Sequence, residues 1–484
     1  DPGVNWGRIL HQRTGWVLDY GYIDFSQYIL DALDQTASTT VGQQRILPLL
    51  MGQVNPTLDY ARYERAYERA EQWGLNATQC EALANAYATN LTWLIQGPPG
   101  TGKTLVLARL VQLLVEDGER VFVTAFTHRA INNALEKLAE CDSLCDATPV
   151  SFCKIGRRSS AGSSADVRNY ETFEDSPFTE LNGGYVIGAT PFATRTRRLN
   201  GVEFDTVIFD EASQITLPLA MMGMLVAKRA LFIGDHKQLP PVLTARHREA
   251  WFRASVFGML VGRRFDTMLE ETYRMNAELT EWPSQQYYSG QLRCASETIA
   301  QRRIAYMRLP MRFDTILDPE APKVFVDLGH RNATTNSTAE ASLICDLIAE
   351  LLACGIEPDE IGVVTPYRAQ ARTIRNLLRS MIPDGEQRRK IVVDTVERMQ
   401  GQERDVIFLS LTTSNPAFAA GIADFFLQPE RLNVAITRVR VKLIIVGSSH
   451  LLSLTPDDPD LQLLVEQLKD CIASCAYRIP PYVR

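Results

Sequence analysis

Eight residues, Gly97-Pro98-Pro99-Gly100-Thr101-Gly102-Lys103-Thr104, have the types and spacing of a loop that wraps the phosphates of a nucleoside triphosphate. The glycines let successive backbone N–H groups turn inward without a Cβ in the way, which makes an anion nest. Lys103 can reach the β- and γ-phosphates, and the Thr104 hydroxyl can ligate Mg²⁺. A second group, Asp210-Glu211-Ala212-Ser213-Gln214, directly follows the apolar run Val207-Ile208-Phe209. An acidic pair at the end of a buried strand suits metal binding by Asp210 and proton abstraction from an attacking water by Glu211. A third polar turn, residues 234–241, also follows an apolar run, and its Gln238 could hydrogen-bond the γ-phosphate.

Such groups need a rigid frame, and apolar runs supply one. Strands are expected at 91–95, 121–125, 185–189, 206–209 and 230–233, with helical segments between most of them. The residues after the phosphate loop, 105–110, read as a helix whose N-terminus favours negative charge. A second alternating series has strands at 324–326, 361–365, 391–395, 406–411 and 443–446, with helices at 339–353 and 369–382. This alternation is the signature of parallel sheets in doubly wound α/β domains. The expected fold is therefore α/β with two tandem P-loop-type domains, residues 71–265 and 266–484, and the phosphate loop only in the first. Residues 1–70 form an N-terminal extension, β-like and aromatic at 15–28 and a charged helix at 60–73. Residues 141–184, rich in Ser, Gly, Asp and Asn, read as an insertion or surface segment.

With 484 residues, 45% hydrophobic and 22% charged, the chain reads as a soluble globular protein of two or three domains. No segment approaches the roughly 20 apolar residues of a membrane span, so no membrane partner is expected. The most apolar stretch, 217–227, reads as a buried helix. A net charge of -7 neither supports nor excludes nucleic acid, because local patches decide. Such patches lie at Arg157-Arg158, at 195–198 and at 438–442. Nine cysteines, Cys141, Cys145, Cys153, Cys471 and Cys475 among them, lack C-x-x-C spacing and read as reduced thiols of an intracellular, cytoplasmic or nuclear protein. The chain opens on Asp1 without a signal peptide, as a fragment of something longer would.

In this order the segments resemble the motifs of superfamily 1 helicases. Residues 97–104, 210–214 and 234–241 are similar to motifs I, II and III. Leu269-Glu270-Glu271-Thr272-Tyr273-Arg274-Met275-Asn276 resembles the tyrosine-arginine-methionine segment, Thr365-Pro366-Tyr367-Arg368-Ala369-Gln370 motif IV, residues 394–405 motif V, and Arg431-Leu432-Asn433-Val434-Ala435-Ile436-Thr437-Arg438 motif VI. Leu75-Asn76-Ala77-Thr78-Gln79 is similar to the adenine-reading Q motif. The Asp-Glu-Ala-Ser-Gln and Leu-Asn-Val-Ala-Ile-Thr-Arg forms are those of the 1B branch that holds the replication helicase-nuclease and the nonsense-mediated-decay helicase.

The resemblance implies two RecA-like domains and an ATP-dependent motor on single-stranded DNA or RNA, moving 5′ to 3′ and unwinding duplexes. It implies that Gln79 reads adenine, Tyr273 stacks on it, and Gly401 and Glu403 line the nucleotide cleft. Arg274 and Arg438, supplied by the second domain, become arginine fingers at the γ-phosphate. Strand contacts fall on Thr124, Ala125, Thr127, Arg157, Thr190 and Pro191 in the first domain, and on Tyr367, Arg368 and Thr395 in the second. Hydroxyls and backbone N–H groups at strand ends hold phosphates without reading sequence. Two other readings keep the same residues: an ATP-driven translocase or remodeller that does not unwind, and an ATP-gated clamp. The chain departs from the family in three places. Only about 70 residues precede the Q motif, so the usual small β-barrel is truncated or replaced. Thr272 stands where Gln is usual, a change expected to matter little. No nuclease motif is apparent, so a nuclease or protein partners would lie outside these residues.

Overall fold

Strands made mostly of apolar residues, such as Thr92–Gln96 with Trp93, Leu94 and Ile95, are built to be covered on both faces, and parallel sheets with helices on each side do that. The computed structural model describes residues 24–143, 150–156, 167–181, 183–242, 254–422, 425, 427–454 and 458–479. Within them the strands in chain order begin with β1 (Thr92–Gln96), β2 (Arg120–Thr124), β3 (Phe152–Ile155), β4 (Asn169–Tyr170), β5 (Tyr185–Gly188), β6 (Phe204–Phe209), β7 (Ala227–Gly234) and β8 (Asp266–Met268). These form one parallel sheet in the order β4-β3-β5-β2-β6-β7-β1-β8. A short parallel pair follows, β9 (Glu271–Thr272) with β10 (Arg293–Cys294). The second sheet is built from β11 (Lys323–Asp327), β12 (Ile361–Thr365), β13 (Val392–Thr395), β14 (Arg404–Ser410), β15 (Val439–Gly447) and β16 (Tyr477–Ile479). It is also parallel, in the order β13-β12-β14-β15-β11-β16.

All ten expected strands are present, within a few residues at their ends. β3, β4, β8, β9, β10 and β16 are additional. β3 pairs with β5, so part of the expected insertion is a strand of the first sheet. β8 pairs with β1 beyond residue 265, so the first sheet continues past the expected domain boundary.

Stacked phenylalanines fill the first core: Phe122 on Phe204 at 5.1 Å and Phe209 on Phe232 at 4.9 Å between centroids. Each such buried ring contributes roughly 1.5–3 kcal/mol over leaving it in water. In the second sheet the two-residue period of a strand sorts side chains onto two faces. Phe325 packs with Leu279, Val434 and Leu468 on one face, while Val324 and Val326 pack with Ile344 and Ile374 on the other.

The described part of the N-terminal extension is helical. Helices Ser26–Ser38 and Tyr60–Gln72 flank a π-helical turn at Gly42–Ile46. The β-like expectation for 15–28 therefore fails at Ser26, Gln27 and Tyr28, which lie in a helix; residues 15–23 lie outside the described residues. Asp24 accepts the Ser26 N–H at 2.8 Å just ahead of that helix, a local side-chain-to-backbone bond. Helix Tyr60–Gln72 starts at Asp59, whose carboxylate accepts from Ala61 and Arg62. Among the described residues no helix is long and apolar enough to cross a membrane.

Candidate functional site

The carboxyl ends of β1, β7 and β6 lie side by side, and each runs straight into one of the polar segments. The Gly97 N–H donates to Gly234 O at 2.9 Å, which binds the phosphate loop to the Gln238 turn. Gly100 and Gly102 have φ of +76° and +81°, where a side chain is strained. A Cβ on Gly100 would sit 2.5 Å from the Arg274 Cβ, and one on Gly102 would sit 2.7 Å from Gln79 Nε2. The loop thus needs glycine for its turn and for the close approach of its neighbours. Helix Lys103–Glu116 starts at its end.

A cleft of about 620 Å³ opens above the loop. It is lined by Gln79, Pro99, Gly100, Thr101, Gly102, Lys103 and Thr104 on one side, and by Glu211, Gln238, Tyr273, Arg274, Glu403 and Arg438 on the others. Residues from seven separated stretches of sequence therefore meet at one cavity. Gly97, Pro98, Asp210 and Gly401 are not among its lining residues. Gly97 and Pro98 instead supply carbonyls that accept from Lys103 Nζ.

Electrostatics set the character of the cleft. Burial pulls the Lys103 ammonium below its usual pKa, and the charges of Glu211 and Asp235 oppose that pull. Burial, then the neighbouring Glu211 charge, pushes the Asp210 carboxyl up to about 7. Asp210 Oδ1 accepts the Glu211 N–H at 3.0 Å. A carboxylate so deeply buried is what a divalent cation would relieve, and Thr104, which shares a cavity with it, adds a hydroxyl oxygen. These two donors fit Mg²⁺. Glu211 has a left-handed backbone, φ +49°, and accepts from Gln400 Nε2 at 3.4 Å.

The two arginines reach the cleft from separate elements. Arg274 lies on the connection between β9 and helix Ala277–Tyr287; it donates to Glu403 at 2.5 Å and to Thr437 O at 2.8 Å. Burial alone would raise the Glu403 pKa, but Arg274 brings it below the usual value. Arg438, 2% exposed, donates through Nε to Val434 O at 3.0 Å. Burial, then the like charge of Arg274, pulls its guanidinium down to about 9, so it stays charged at pH 7. Arg438 thus makes no ion pair within 4.0 Å among the described residues.

Gln79 is buried and its amide has two internal partners. Its Oε1 accepts the Asn76 N–H at 3.1 Å in a capping box, and its Nε2 donates to Thr101 O at 3.0 Å. One N–H and one lone pair remain for a ligand. Tyr273 is 45% exposed, its N–H held by Gly100 O at 2.9 Å and its hydroxyl by Asn76. Thr272 matters more than expected. Its hydroxyl donates to Pro99 O at 2.9 Å and accepts the Arg274 N–H at 3.3 Å, so it ties the loop to the arginine.

The residues expected to hold a strand follow other strand ends. Thr124 and Ala125 end β2, Thr190 and Pro191 follow β5, and Tyr367, Arg368 and Thr395 sit at the ends of the adjacent β12 and β13. Thr127 and Arg368 are exposed, and Thr190 and Tyr367 are half-buried. Thr124, Ala125, Pro191 and Thr395 are buried, so their side chains present little surface. Arg157 lies outside the described residues, as do Arg158 and Cys145. A second cavity of about 430 Å³ joins the two regions: it runs from Asp210 and Glu211 to Thr127 and Arg129 of the first sheet and Asp394 and Arg398 of the second.

Sequence reasoning passed over Asp235, Tyr288 and Asn433. Asp235, 1% exposed, accepts from Gln96, Lys237 N–H, Gln238 and Tyr288. Its position one residue after β7 was the available signal. Tyr288 had none, because only the fold brings it there.

One AAA domain model matches residues 74–182 and 168–246, and a second matches residues 252–450. The chain is similar to proteins named DNA replication ATP-dependent helicase/nuclease. It is 28% identical to that of Saccharomyces cerevisiae over 441 residues, covering 83% of this chain and 27% of the relative. It is 30% identical to that of Xenopus laevis over 417 residues, covering 77% and 37%, and 28% identical to that of Homo sapiens over 407 residues, covering 77% and 37%. The chain therefore spans only about a third of the length of these relatives. A solved arterivirus helicase in complex with DNA is a remote likeness, with a TM-score of 0.40, 17% identity, and coverage of 80% of this chain and 65% of that one. The relatives and the order of the motifs converge on one group, and the chain belongs to it: the superfamily 1B helicases, in their DNA2-like branch.

Proposed function

We propose that this chain is an ATP hydrolase that uses Mg²⁺ and moves on single-stranded nucleic acid, 5′ to 3′, displacing a complementary strand. The observation that carries the reading is the convergence of Lys103, Glu211, Gln238, Arg274 and Arg438 on one cleft from elements of both sheets. Such a cleft is completed only when the parts carrying the two sheets are together. Cations from the second side favour closure on ATP, and hydrolysis releases it.

Each role follows from position. Gln79 reads the adenine edge with its remaining donor and acceptor, and the half-exposed Tyr273 ring stacks on it. Pro98, Pro99 and Thr101 shape the loop whose N–H groups hold the phosphates. Mg²⁺, held by Thr104 and Asp210, supplies neutralising charge at the phosphates when bound. Glu211 takes the proton of the attacking water. Lys103, Arg274 and Arg438 stabilise charge on the transferring phosphoryl group, and Gln238 contacts the γ-phosphate. Glu403 holds Arg274 in place, and Gly401 lets the segment before it turn at φ +73°.

The strand is placed along the ends of β2, β5, β12 and β13, on Thr127, Thr190, Tyr367 and Arg368, with backbone groups of Thr124, Ala125, Pro191 and Thr395 beside them. Arg157 belongs to this set by sequence. Single-stranded DNA is the first choice of substrate, since the similar proteins are named for DNA replication. Turnover measured with single-stranded DNA, single-stranded RNA and duplex controls tests this. Strong stimulation by single-stranded DNA is expected, and background turnover with every nucleic acid would sink the proposal.

A translocase that strips bound proteins without unwinding is favoured by one observation: residues 26–72 are mainly helical, where the family carries a small barrel. Streptavidin displacement from a biotinylated strand without unwinding of a tailed duplex would establish it.

A further inference from the structure

Gln238 is tied to the second sheet by side chains with no role in the chemistry above. Two donors share one oxygen of Asp235: Gln238 Nε2 at 2.9 Å and the Tyr288 hydroxyl at 2.7 Å, both on Oδ2. Tyr288, 2% exposed, accepts in turn from Asn433 Nδ2 at 2.9 Å. The same Asn433 nitrogen donates to Lys237 O at 2.8 Å, so it reaches back to the Gln238 turn. Burial, then the Asp235 charge, raises the Tyr288 pKa well above its usual value, so its hydroxyl remains the donor to Asp235.

Asn433 lies on helix Pro429–Ile436, which leads through Thr437 directly into Arg438. Thr437 donates to Asn433 O at 2.6 Å, and its own carbonyl receives Arg274. One buried chain of hydrogen bonds therefore begins at Gln238 and ends at Arg274, and its member Thr437 is the residue before Arg438. Packing follows the same path. Leu239, next to Gln238, is buried in the second sheet's core with Tyr288, Val434 and Ala435. Displacing this turn disturbs that core.

We propose that Asp235, Tyr288 and Asn433 form a relay that reports the γ-phosphate from Gln238 to the helix leading into Arg438, with Tyr288 as its positioning residue. The relay rests on the proposed ATP-driven movement along a strand and deepens it. The Gln238 amide that would meet the phosphate is the one now held by Asp235. When it turns to the phosphate, Asp235 Oδ2 keeps Tyr288 as its side-chain donor, and a charge-assisted bond strengthens as competitors leave. After hydrolysis Gln238 returns and the link to Asn433 slackens. Strand affinity then differs between the ATP and ADP states because this link differs.

The test measures binding of a labelled single DNA strand to the full chain, with ADP or with a non-hydrolysable ATP analogue. In the wild type the two affinities should differ by about fivefold or more, the usual scale of coupling between sites. In Tyr288→Phe the difference should collapse to about twofold or less, below that scale, with ADP affinity and melting temperature near those of the wild type. Asn433→Ala breaks the link from its other end and should give the same collapse. A wild-type difference retained by either folded variant overturns the relay alone. A wild type whose strand affinity ignores the nucleotide overturns the proposed ATP-driven movement and the relay with it.

Discussion

Glu211 occupies a left-handed backbone conformation, φ +49°, that costs a non-glycine residue of order 1–3 kcal/mol. Glycine would relieve that strain, so the carboxylate is what the position retains. Glu211→Gln should abolish turnover while ATP binding survives, because the amide keeps the shape and loses only the proton acceptor. Equilibrium nucleotide binding beside single-turnover hydrolysis checks this, and lost ATP binding would remove Glu211 as the base. Arg438 is buried and charged with backbone carbonyls as its partners, an arrangement a phosphate would complete. Arg438→Ala should lower strand-stimulated turnover by about 10³-fold or more, the scale of an arginine finger, with little change in ADP affinity. Turnover close to the wild type would take Arg438 out of the site.

At the scale of elements, the phosphate loop is a fit between three segments. Gly100 leaves room for Thr272 and Arg274, and Gly102 leaves room for Gln79. Gly100→Ala adds both backbone strain and a clash 2.5 Å from the Arg274 Cβ. ATP affinity and turnover should both fall sharply, as titration calorimetry and an ATPase assay would show, while the sheet is unaffected in far-UV circular dichroism. The loop and the strands leading into it were legible in the sequence because they depend on local rules: glycine at positive φ, apolar runs, polar turns at strand ends. β3 and β16 were not, since Phe152–Ile155 and Tyr477–Ile479 are short edge-side strands that gain their place from neighbours far along the chain. Thr272 was underrated for a similar reason, since its partner Pro99 is distant in sequence. Lys442 was passed over as part of a basic surface patch. It is 1% exposed on β15 and donates to the carbonyls of Asp318 and Ala321. Burial pulls its ammonium from 10.5 down to about 7, with Asp318 opposing. Between those values the unfolded chain holds the proton and the folded chain does not, so stability from this group rises with pH across that window. Urea unfolding at pH 7 and pH 9.5 should show that rise in the wild type and a flatter profile in Lys442→Met.

At the scale of the whole molecule, the question is how an acidic protein, net charge -7, holds a polyanion. Placement of the basic side chains resolves it. The exposed Arg129 and the exposed Arg368 and Arg398 lie at the ends of β2, β12 and β13, toward the proposed strand path. The carboxylates of Glu211 and Glu403 line the cleft above the phosphate loop instead, and Asp210 lines the neighbouring cavity. Backbone contacts of this kind release counterions, so strand affinity should fall linearly in log–log with salt. Arg368 is the cleanest probe, because it is exposed at the start of helix Arg368–Met381 and supports no buried network among the described residues. Arg368→Ala should reduce the salt slope by about one and weaken all sequences alike, as loss of a phosphate contact does. Tyr367→Ala, which removes an aromatic ring but no charge, should leave the slope unchanged and lower affinity by a stacking contribution of about 1–3 kcal/mol. Fluorescence anisotropy over a salt series, on DNA strands of two base compositions, separates the two effects. An unchanged slope in Arg368→Ala would move the strand path away from the end of β12.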